Sequence, residues 1–516
     1  MNGSTSSRVG GFLAGLLVSA AVSITASSGA IAAAGTCSDI KTLARKDLTV
    51  QTADMVPASS TLPAFCKIRG QIAGKIGFEA RLPAADWNGA LFMAGCGGFC
   101  GTLLPDKPGF SNSILPALKK GYAVITTDGG HKGQNHETGW AYDDPEALEI
   151  FAHKLLPLTI QGLEELTHSF YQKPAHRKLY SGCSNGGRLG LVAAQRYPEL
   201  FDGILVGGPI LDMTGNAGIH GAWLSRSNTT PDGDRILTPR TAALLQKEIL
   251  AQCDALDGQK DGLISRPGRC KPDLDKLSCN ARTGLPCLTS DEIAAARKLY
   301  QGAQDKDGRP LFFGIAPGGE HNWPLWITGD ENRPGWGQRA GENYLELAAH
   351  LLNVPDLKAS TFDFNRHPAV LTHSSLPDLL DATDTDLSAF RKNGGKLLLW
   401  HGWADSLILP QRTVQYYEQV TTRDGSMEIT QTYFRMFMVP GHGHCWGVPG
   451  TGPDLFDPIA TLEDWLERDQ TPDTLNAVQK SGKGDVIRSR PICAYPKTAT
   501  LIQGRNPDLS MSYRCE

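Results

Sequence analysis

The pentapeptide Gly182-Cys183-Ser184-Asn185-Gly186 constrains the fold of this chain more than any other segment. It fits G-x-S-x-G, follows a strand-like run (Lys178–Ser181) and opens a helix-like stretch through Gly190 to Tyr197. Strand, tight turn and helix in that order form a nucleophile elbow, which presents a serine at the top of an α/β sheet. Small residues at both glycine positions permit the strained turn that lifts Ser184 Oγ clear of the sheet. The N–H of Asn185 then lies at a helix N-terminus, where unpaired donors and the helix dipole favour an oxyanion.

The surrounding text supports such a sheet. Strand-like runs at Ala90–Ala94, Tyr122–Thr126 and Gly203–Val206 alternate with helical stretches, which predicts a parallel α/β arrangement. From about Met213 to Thr372 the alternation lapses into Gly, Pro, Trp and Asn, four cysteines and isolated helical pieces at Thr241–Leu250 and Ser290–Leu299. Strand signals return at Lys396–Trp400 and Tyr433–Val439. The simplest architecture is a core, residues 35–212 and 373–516, interrupted by a cap, residues 213–372. A length of 516 residues suits a hydrolase core with a sizeable insertion.

A serine needs a base to become a nucleophile. In the chain order of α/β-hydrolases an acid and then a histidine follow the serine. Asp405 lies on the loop after the Lys396 strand, and His442 and His444 lie on the loop after Val439. Such sheets build their sites on these strand ends. Read alone, Asp405 could be an ordinary loop carboxylate and His444 a structural histidine. Cys183 precedes Ser184, and Cys445 follows His444. A disulfide between them would hold their Cα atoms ~5.5–6 Å apart and bring Ser184 beside His444. His442 would then be a loop residue. The alternative is that the two cysteines pair elsewhere or stay free.

Residues 1–34 carry one charge, Arg8, then an apolar run and a terminal Ala32-Ala33-Ala34, the pattern of a secretory signal peptide. The apolar run is too short for a membrane anchor. Export places the protein outside the cell or in the periplasm. Removal of that segment leaves 49 Lys and Arg against 54 Asp and Glu, a net of −5. No basic tract or stripe points to nucleic acid. Twelve cysteines in an exported chain predict disulfides rather than a zinc site, for which no paired Cys-x-x-Cys exists. Cys253/Cys270, Cys279/Cys287 and Cys493/Cys515 would close short loops. Cys37, Cys66, Cys96 and Cys100 complete the set, with connectivity open.

Cys183-Ser184 at the elbow, Asp405 on a Gly-x-x-Asp loop and the late His444-Cys445 together resemble the tannase and feruloyl esterase family, which includes the hydrolase of mono(2-hydroxyethyl) terephthalate. The likeness runs from about Cys37 to Cys515. It implies an α/β-hydrolase core with a large inserted lid domain and a Cys183–Cys445 bridge. It also implies acyl transfer in which His444 takes the Ser184 proton and Asp405 orients His444. The implied activity is that of a serine carboxylic-ester hydrolase releasing aromatic acids from feruloyl esters, with a small aromatic ester or esterified plant polysaccharide as partner. Gallate esters and terephthalate half-esters are the alternatives. A serine peptidase fits the triad but not the resemblance. A non-catalytic binding protein of the same fold should lack a triad member, and all three are present.

The oxyanion donors expected are Asn185 and Gly95, the latter in the loop Gly95-Cys96-Gly97-Gly98, which lacks the Gly-Lys-Ser/Thr ending of a phosphate loop. Cys96 and Cys100 depart from the small residues of the family there. A local disulfide would stiffen the loop and leaves the second donor between Gly95 and Cys96. Asp254, Asp257 and Asp261 form an acidic loop that, read alone, is a solvated turn. The resemblance implies a structural Ca2+ held by these three carboxylates and the carbonyls of Gln259 and Leu263. It is not an EF-hand, since Ser265 stands where the closing Glu belongs. Trp223, Trp323, Trp326 and Trp336 in the insertion suit a flat acyl group, although most such rings pack cores. Glu320, His321 and Arg333 are polar candidates for the pocket.

Overall fold

The computed structural model describes residues 35–45, 47–107, 112–281, 285–445 and 451–516; the signal segment expected at 1–34 lies outside them. Ten strands make one sheet: β1 (Ala44–Arg45), β2 (Leu48–Val56), β3 (Phe65–Ile72), β4 (Ile76–Pro83), β5 (Ala90–Ala94), β6 (Ala123–Thr127), β7 (Arg177–Cys183), β8 (Gly203–Gly207), β9 (Lys396–Gly402) and β10 (Phe434–Val439). Their order is β1-β2-β3-β4-β6-β5-β7-β8-β9-β10. From β6 to β10 every pairing is parallel. β1 to β4 are antiparallel, as is the β4–β6 pair. The sequence-based expectation of a parallel sheet therefore covers six strands. The other four are joined without intervening helices, and only antiparallel neighbours can be connected that way. Order and connectivity are those of an α/β-hydrolase.

Side chains alternate between the two faces of the sheet. Leu91, Met93, Ile125, Tyr180, Ile204, Leu397 and Leu399 pack on one side with Leu155, Leu163 and Phe170 of the helix Leu155–Tyr171 and Leu189 and Val192 of the elbow helix. Phe92, Val124, Leu179, Leu205 and Leu398 pack on the other with Leu462 and Trp465 of the helix Pro458–Arg468. Covering on both faces is why β5 to β8 are apolar and buried nearly throughout. The chain reverses its direction of travel across the sheet between β5 and β7. The crevice at the carboxyl ends of strands at such a reversal is where these sheets bind ligands. No helix among the described residues is long and apolar enough to cross a membrane.

Between β8 and β9 the described residues add no strand to this sheet. They fold as helices, including Gly221–Ser227, Pro239–Cys253, Ser290–Gln301 and Trp336–Leu352. Leu224, Leu245, Ile249, Leu299 and Tyr344 gather there in a separate hydrophobic cluster, which Phe99 and Phe151 join from the sheet side. This excursion presses on the site loops. A Cβ added to Gly319 would meet Ala404 O at 2.4 Å, so only glycine permits that approach. The adjacent Glu320 is completely buried. It accepts from Gly318 N–H and Tyr300 Oη–H, each at 2.9 Å, and burial pushes its carboxyl up to about 7.

A carboxyl whose folded pKa exceeds its unfolded value favours the folded state while protonated. The stabilisation from Glu320 is full below its ordinary 4.5 and is lost as pH rises through about 7. Denaturation midpoints should therefore fall between pH 5 and 7.5 in the wild type, and fall less in Glu320→Gln. Equal pH dependence in the two proteins would remove this assignment.

Candidate active site

Ser184 sits between β7 and the helix Asn185–Arg196 with φ 62° and ψ −123°. A left-handed backbone costs a serine ~1–3 kcal/mol and persists only where its surroundings impose it. Here they do. A Cβ on Gly182 would lie 2.3 Å from Gly186 O, so the two glycines close the turn by direct contact. Tyr180 Oη–H donates to Gly186 O at 2.7 Å, Cys183 N–H to Asn112 Oδ1 at 3.1 Å and Ser184 N–H to Gly207 O at 3.0 Å.

One stabilising element of the elbow was not legible in the sequence. Arg188 is fully buried, and its Nε–H donates to Asn185 Oδ1 at 2.8 Å. Its Nη1 donates to the carbonyls of Ala152 and Leu380 and its Nη2 to that of Phe151, at 2.9–3.1 Å. Burial lowers the guanidinium to about 10, so it keeps its charge at neutral pH. Asn185 Nδ2 in turn donates to Cys96 O at 3.4 Å, tying the elbow to the glycine loop.

Asp405 follows β9 and is buried. Its Oδ1 accepts from the N–H groups of Leu407 and Ile408, both at 2.9 Å. Its Oδ2 meets His444 Nδ1 at 2.7 Å and His401 Nε2 at 3.1 Å. Burial pushes this carboxyl up, but the His444 charge and the hydrogen bonds from His401 and His444 outweigh it and hold it well below the usual carboxylate range. His401 Nε2 faces a second acceptor, Ile408 O at 3.1 Å, and so carries a proton, while Nδ1 meets Thr413 Oγ1 at 2.9 Å. His401 thus braces the acid. Its only sequence signal is its place four residues before Asp405.

With Nδ1 engaged by Asp405, His444 keeps Nε2 as its basic nitrogen. His442 turns instead to Asp454, Nδ1 to Oδ2 at 3.2 Å. Cys183 and Cys445 are bonded, with Cα atoms 6.0 Å apart, so the neighbours of Ser184 and His444 are covalently joined. The other pairs are Cys37–Cys66, Cys96–Cys100, Cys253–Cys270, Cys279–Cys287 and Cys493–Cys515.

Gly95 requires a correction. Its N–H donates to Ser181 O at 2.9 Å as part of the sheet, which removes it as an oxyanion donor. The next amide in the loop, that of Cys96, takes its place as the candidate.

A cleft opens at Ser184 and Asn185. Phe99, Met213, Ala217, Leu224, Trp336 and Ile408 form most of its apolar wall. Trp326 sets its ring edge-on to His444, centroids 5.5 Å apart, and packs against Trp336 at 6.0 Å. Trp323 is buried beside Tyr300, and Trp223 donates to Lys298 O; both pack the inserted segment. Glu320 and His321 lie in that packing too, His321 N–H donating to Gln246 Oε1 at 3.0 Å. Arg333 is exposed, pairs with Asp330 and does not line the cleft.

In the acidic loop, Asp254 Oδ1 accepts from the N–H groups of Asp261, Gly262 and Leu263 at 3.0–3.3 Å. Asp261 Oδ2 pairs with Arg490 at 2.6 Å and Arg488 at 3.3 Å. Asp257 Oδ1 accepts from Gln259 N–H at 3.0 Å, while its buried Oδ2 has no hydrogen-bond partner. Burial raises the pKa of that carboxyl. Gln259 Oε1 accepts from Tyr513 Oη–H at 2.8 Å. Among the described residues, the one trio of side chains close enough to share an ion is Cys183, His444 and Cys445, and the disulfide occupies both sulfurs.

The family model for tannase and feruloyl esterase matches residues 60–515. The chain belongs to the tannase and feruloyl esterase family. Membership makes it a carboxylic ester hydrolase. It is 31% identical to an uncharacterised esterase of Xanthomonas campestris, over 94% of this chain and 91% of that one. It is 30% identical to the mono(2-hydroxyethyl) terephthalate hydrolase of Piscinibacter sakaiensis, over 90% of this chain and 87% of that one. Feruloyl esterase B from Aspergillus oryzae shares the fold with a TM-score of 0.81 at 24% identity, over 93% of this chain and 99% of that one.

In this member of the family the Cys183–Cys445 bond should matter twice. Replacing both cysteines by serine should lower stability by ~2–5 kcal/mol. It should also reduce kcat on an aryl ester at least ~10-fold with a smaller change in KM, because the histidine loop loses its tether. Thermal denaturation and steady-state kinetics check both. Unchanged kcat would show that packing alone positions His444.

Proposed function

We propose that the protein is a secreted serine esterase that releases aromatic acids, hydroxycinnamic (feruloyl) acids foremost, through an acyl-enzyme on Ser184. The observation that carries this reading is the buried Asp405–His444 pair joined through Cys445–Cys183 to the residue beside Ser184. His444 Nε2 removes the Ser184 proton as Oγ adds to the ester carbonyl, and returns it to the departing alcohol. Water then cleaves the acyl-enzyme with His444 again as base, while Asp405 stabilises the charged ring. The N–H groups of Asn185 and Cys96 face the developing oxyanion; loss of one such donor typically lowers turnover ~10²–10³-fold.

The apolar cleft, with Trp336 in its wall, supports an aromatic acyl group. Its walls come largely from residues 213–224 and 336–341, which supports the reading of 213–372 as a substrate-covering lid. Likeness to the Piscinibacter hydrolase favours terephthalate half-esters as a second reading. Against it, the described lining holds no Arg or Lys to receive a terephthalate carboxylate. Export is supported by the amino-terminal pattern and by six disulfides, which persist in oxidising compartments.

The acidic loop is proposed to hold a structural Ca2+. Asp257 Oδ2, buried and without a partner, is the donor that supports it. Asp254 and Asp261 retain further lone pairs beside their present hydrogen bonds. The three carboxylates stand too far apart to share an ion as placed, so binding would draw them together, and the carbonyls of Gln259 and Leu263 would complete the set. The ion would brace the lid and take no part in the chemistry.

Ser184→Ala and His444→Ala should each lower kcat on methyl ferulate by at least ~10³-fold in a folded protein. His442→Ala should keep most turnover; a loss equal to that of His444→Ala would reverse the choice of base. A chelator should lower the melting temperature before it lowers the initial rate, and added Ca2+ should restore it. No change in melting temperature would remove the ion.

A further inference from the structure

The cleft beside Ser184 contains one polar side chain with nothing to bind. Of its polar lining residues, Ser184 and Asn185 belong to the elbow. Asn216 donates from Nδ2 to Leu407 O at 3.1 Å and accepts from Leu409 N–H at 3.2 Å, so both ends of its amide are engaged. Trp336 Nε1–H donates to Asn135 Oδ1 at 3.3 Å. His220 differs. It is fully buried, it lines the cleft, and neither Nδ1 nor Nε2 has a hydrogen-bond partner. Its nearest ring contact is Phe312, at a centroid distance of 6.1 Å and tilted by 37°.

An orphaned polar group in an apolar site is costly unless a ligand completes it. His220 also ends a π-helical stretch, Thr214–His220, that runs directly into the helix Gly221–Ser227. Such wide turns inside helices concentrate at functional sites.

We propose that His220 is the specificity-determining residue of the acyl pocket and that it binds a hydroxyl group carried on the substrate's aromatic ring. The inference rests on the esterase reading given above and narrows its substrate class. Burial lowers the imidazole to about 3, so the ring is neutral at neutral pH. A neutral imidazole presents one donor and one acceptor. A phenolic hydroxyl, itself donor and acceptor, can pair with whichever ring nitrogen faces the cleft, accepting from the N–H or donating to the bare nitrogen. A carboxylate could pair only with the N–H and would meet no compensating charge, and a hydrogen in the same place would leave the facing nitrogen unpaired. Sites built to bind a substrate hydroxyl discriminate strongly against the analogue that lacks it.

The test compares kcat/KM for methyl 4-hydroxycinnamate and methyl cinnamate in the wild type, His220→Phe and His220→Gln. The wild type should favour the hydroxylated ester at least ~10-fold, although the ring hydroxyl donates electrons and makes the carbonyl less electrophilic. His220→Phe should bring the ratio close to 1, and His220→Gln, which retains a donor and an acceptor, should restore part of it. A ratio near 1 in an active wild type, or an undiminished ratio in His220→Phe, overturns the role of His220 and leaves the esterase reading standing. The wild-type ratio decides the matter should His220→Phe fail to fold. A wild type that cleaves neither ester overturns the esterase reading, and this inference with it.

Discussion

The bond between Cys183 and Cys445 spans 262 residues of sequence and joins the end of β7 to the loop after β10, which the sheet alone would keep apart. β7 and β10 are separated by β8 and β9, so their ends lie about three inter-strand spacings apart, ~14 Å. The loop after β10 therefore has to travel back across the sheet for His444 to reach the elbow. The disulfide fixes the end of that path at a Cα separation of 6.0 Å, and Asp405, on the loop after the intervening β9, meets the histidine along the way. The whole inserted segment lies within the chain that this bond closes.

Asp405 shows what the closure permits. A buried carboxylate is unfavourable unless its oxygens are satisfied, and here four donors converge on it: two backbone N–H groups and two imidazoles. The carboxyl consequently stays ionised and can stabilise a charged His444. His401 has no place in the proton path, yet without it Oδ2 would be held by His444 alone. The insertion adds to this environment from above, since Gly319 rests on Ala404 and Trp326 stands edge-on to His444. Core and insertion thus share one site: the core supplies Ser184, Asp405 and His444, and the insertion supplies most of the cleft wall beside Ser184.

Elbow, acid and histidine are set by strand ends and a disulfide. The pocket wall comes largely from helices of the insertion. In this chain the wall is apolar, without a cation among the described residues, and His220 is its unpaired polar group. Such a pocket suits a neutral aromatic acyl group.

Much of this was legible in the sequence, because the signals were local. The six parallel strands appear as apolar runs bounded by glycine, and Ser184, Asp405 and His444 each stand just beyond one of them. The antiparallel strands were not legible as apolar runs: β2 is half-exposed, and β4, though buried throughout, carries Glu79 and Arg81 among its apolar residues. Gly95 looked like an oxyanion donor from its neighbours, but its N–H is taken by Ser181 O, a pairing set by strand register. The bracing of Asn185 by Arg188 and of Asp405 by His401, and the solitary state of His220, likewise depend on side chains that meet through space. By itself, then, the sequence determined the six parallel strands, the elbow and the candidates for the reacting groups, because backbone periodicity and turn chemistry are properties of neighbouring residues. Tertiary structure alone decided which amide is free, which histidine faces the acid and which polar group the pocket leaves for a substrate, because hydrogen-bond partners and burial belong to contacts between distant parts of the chain.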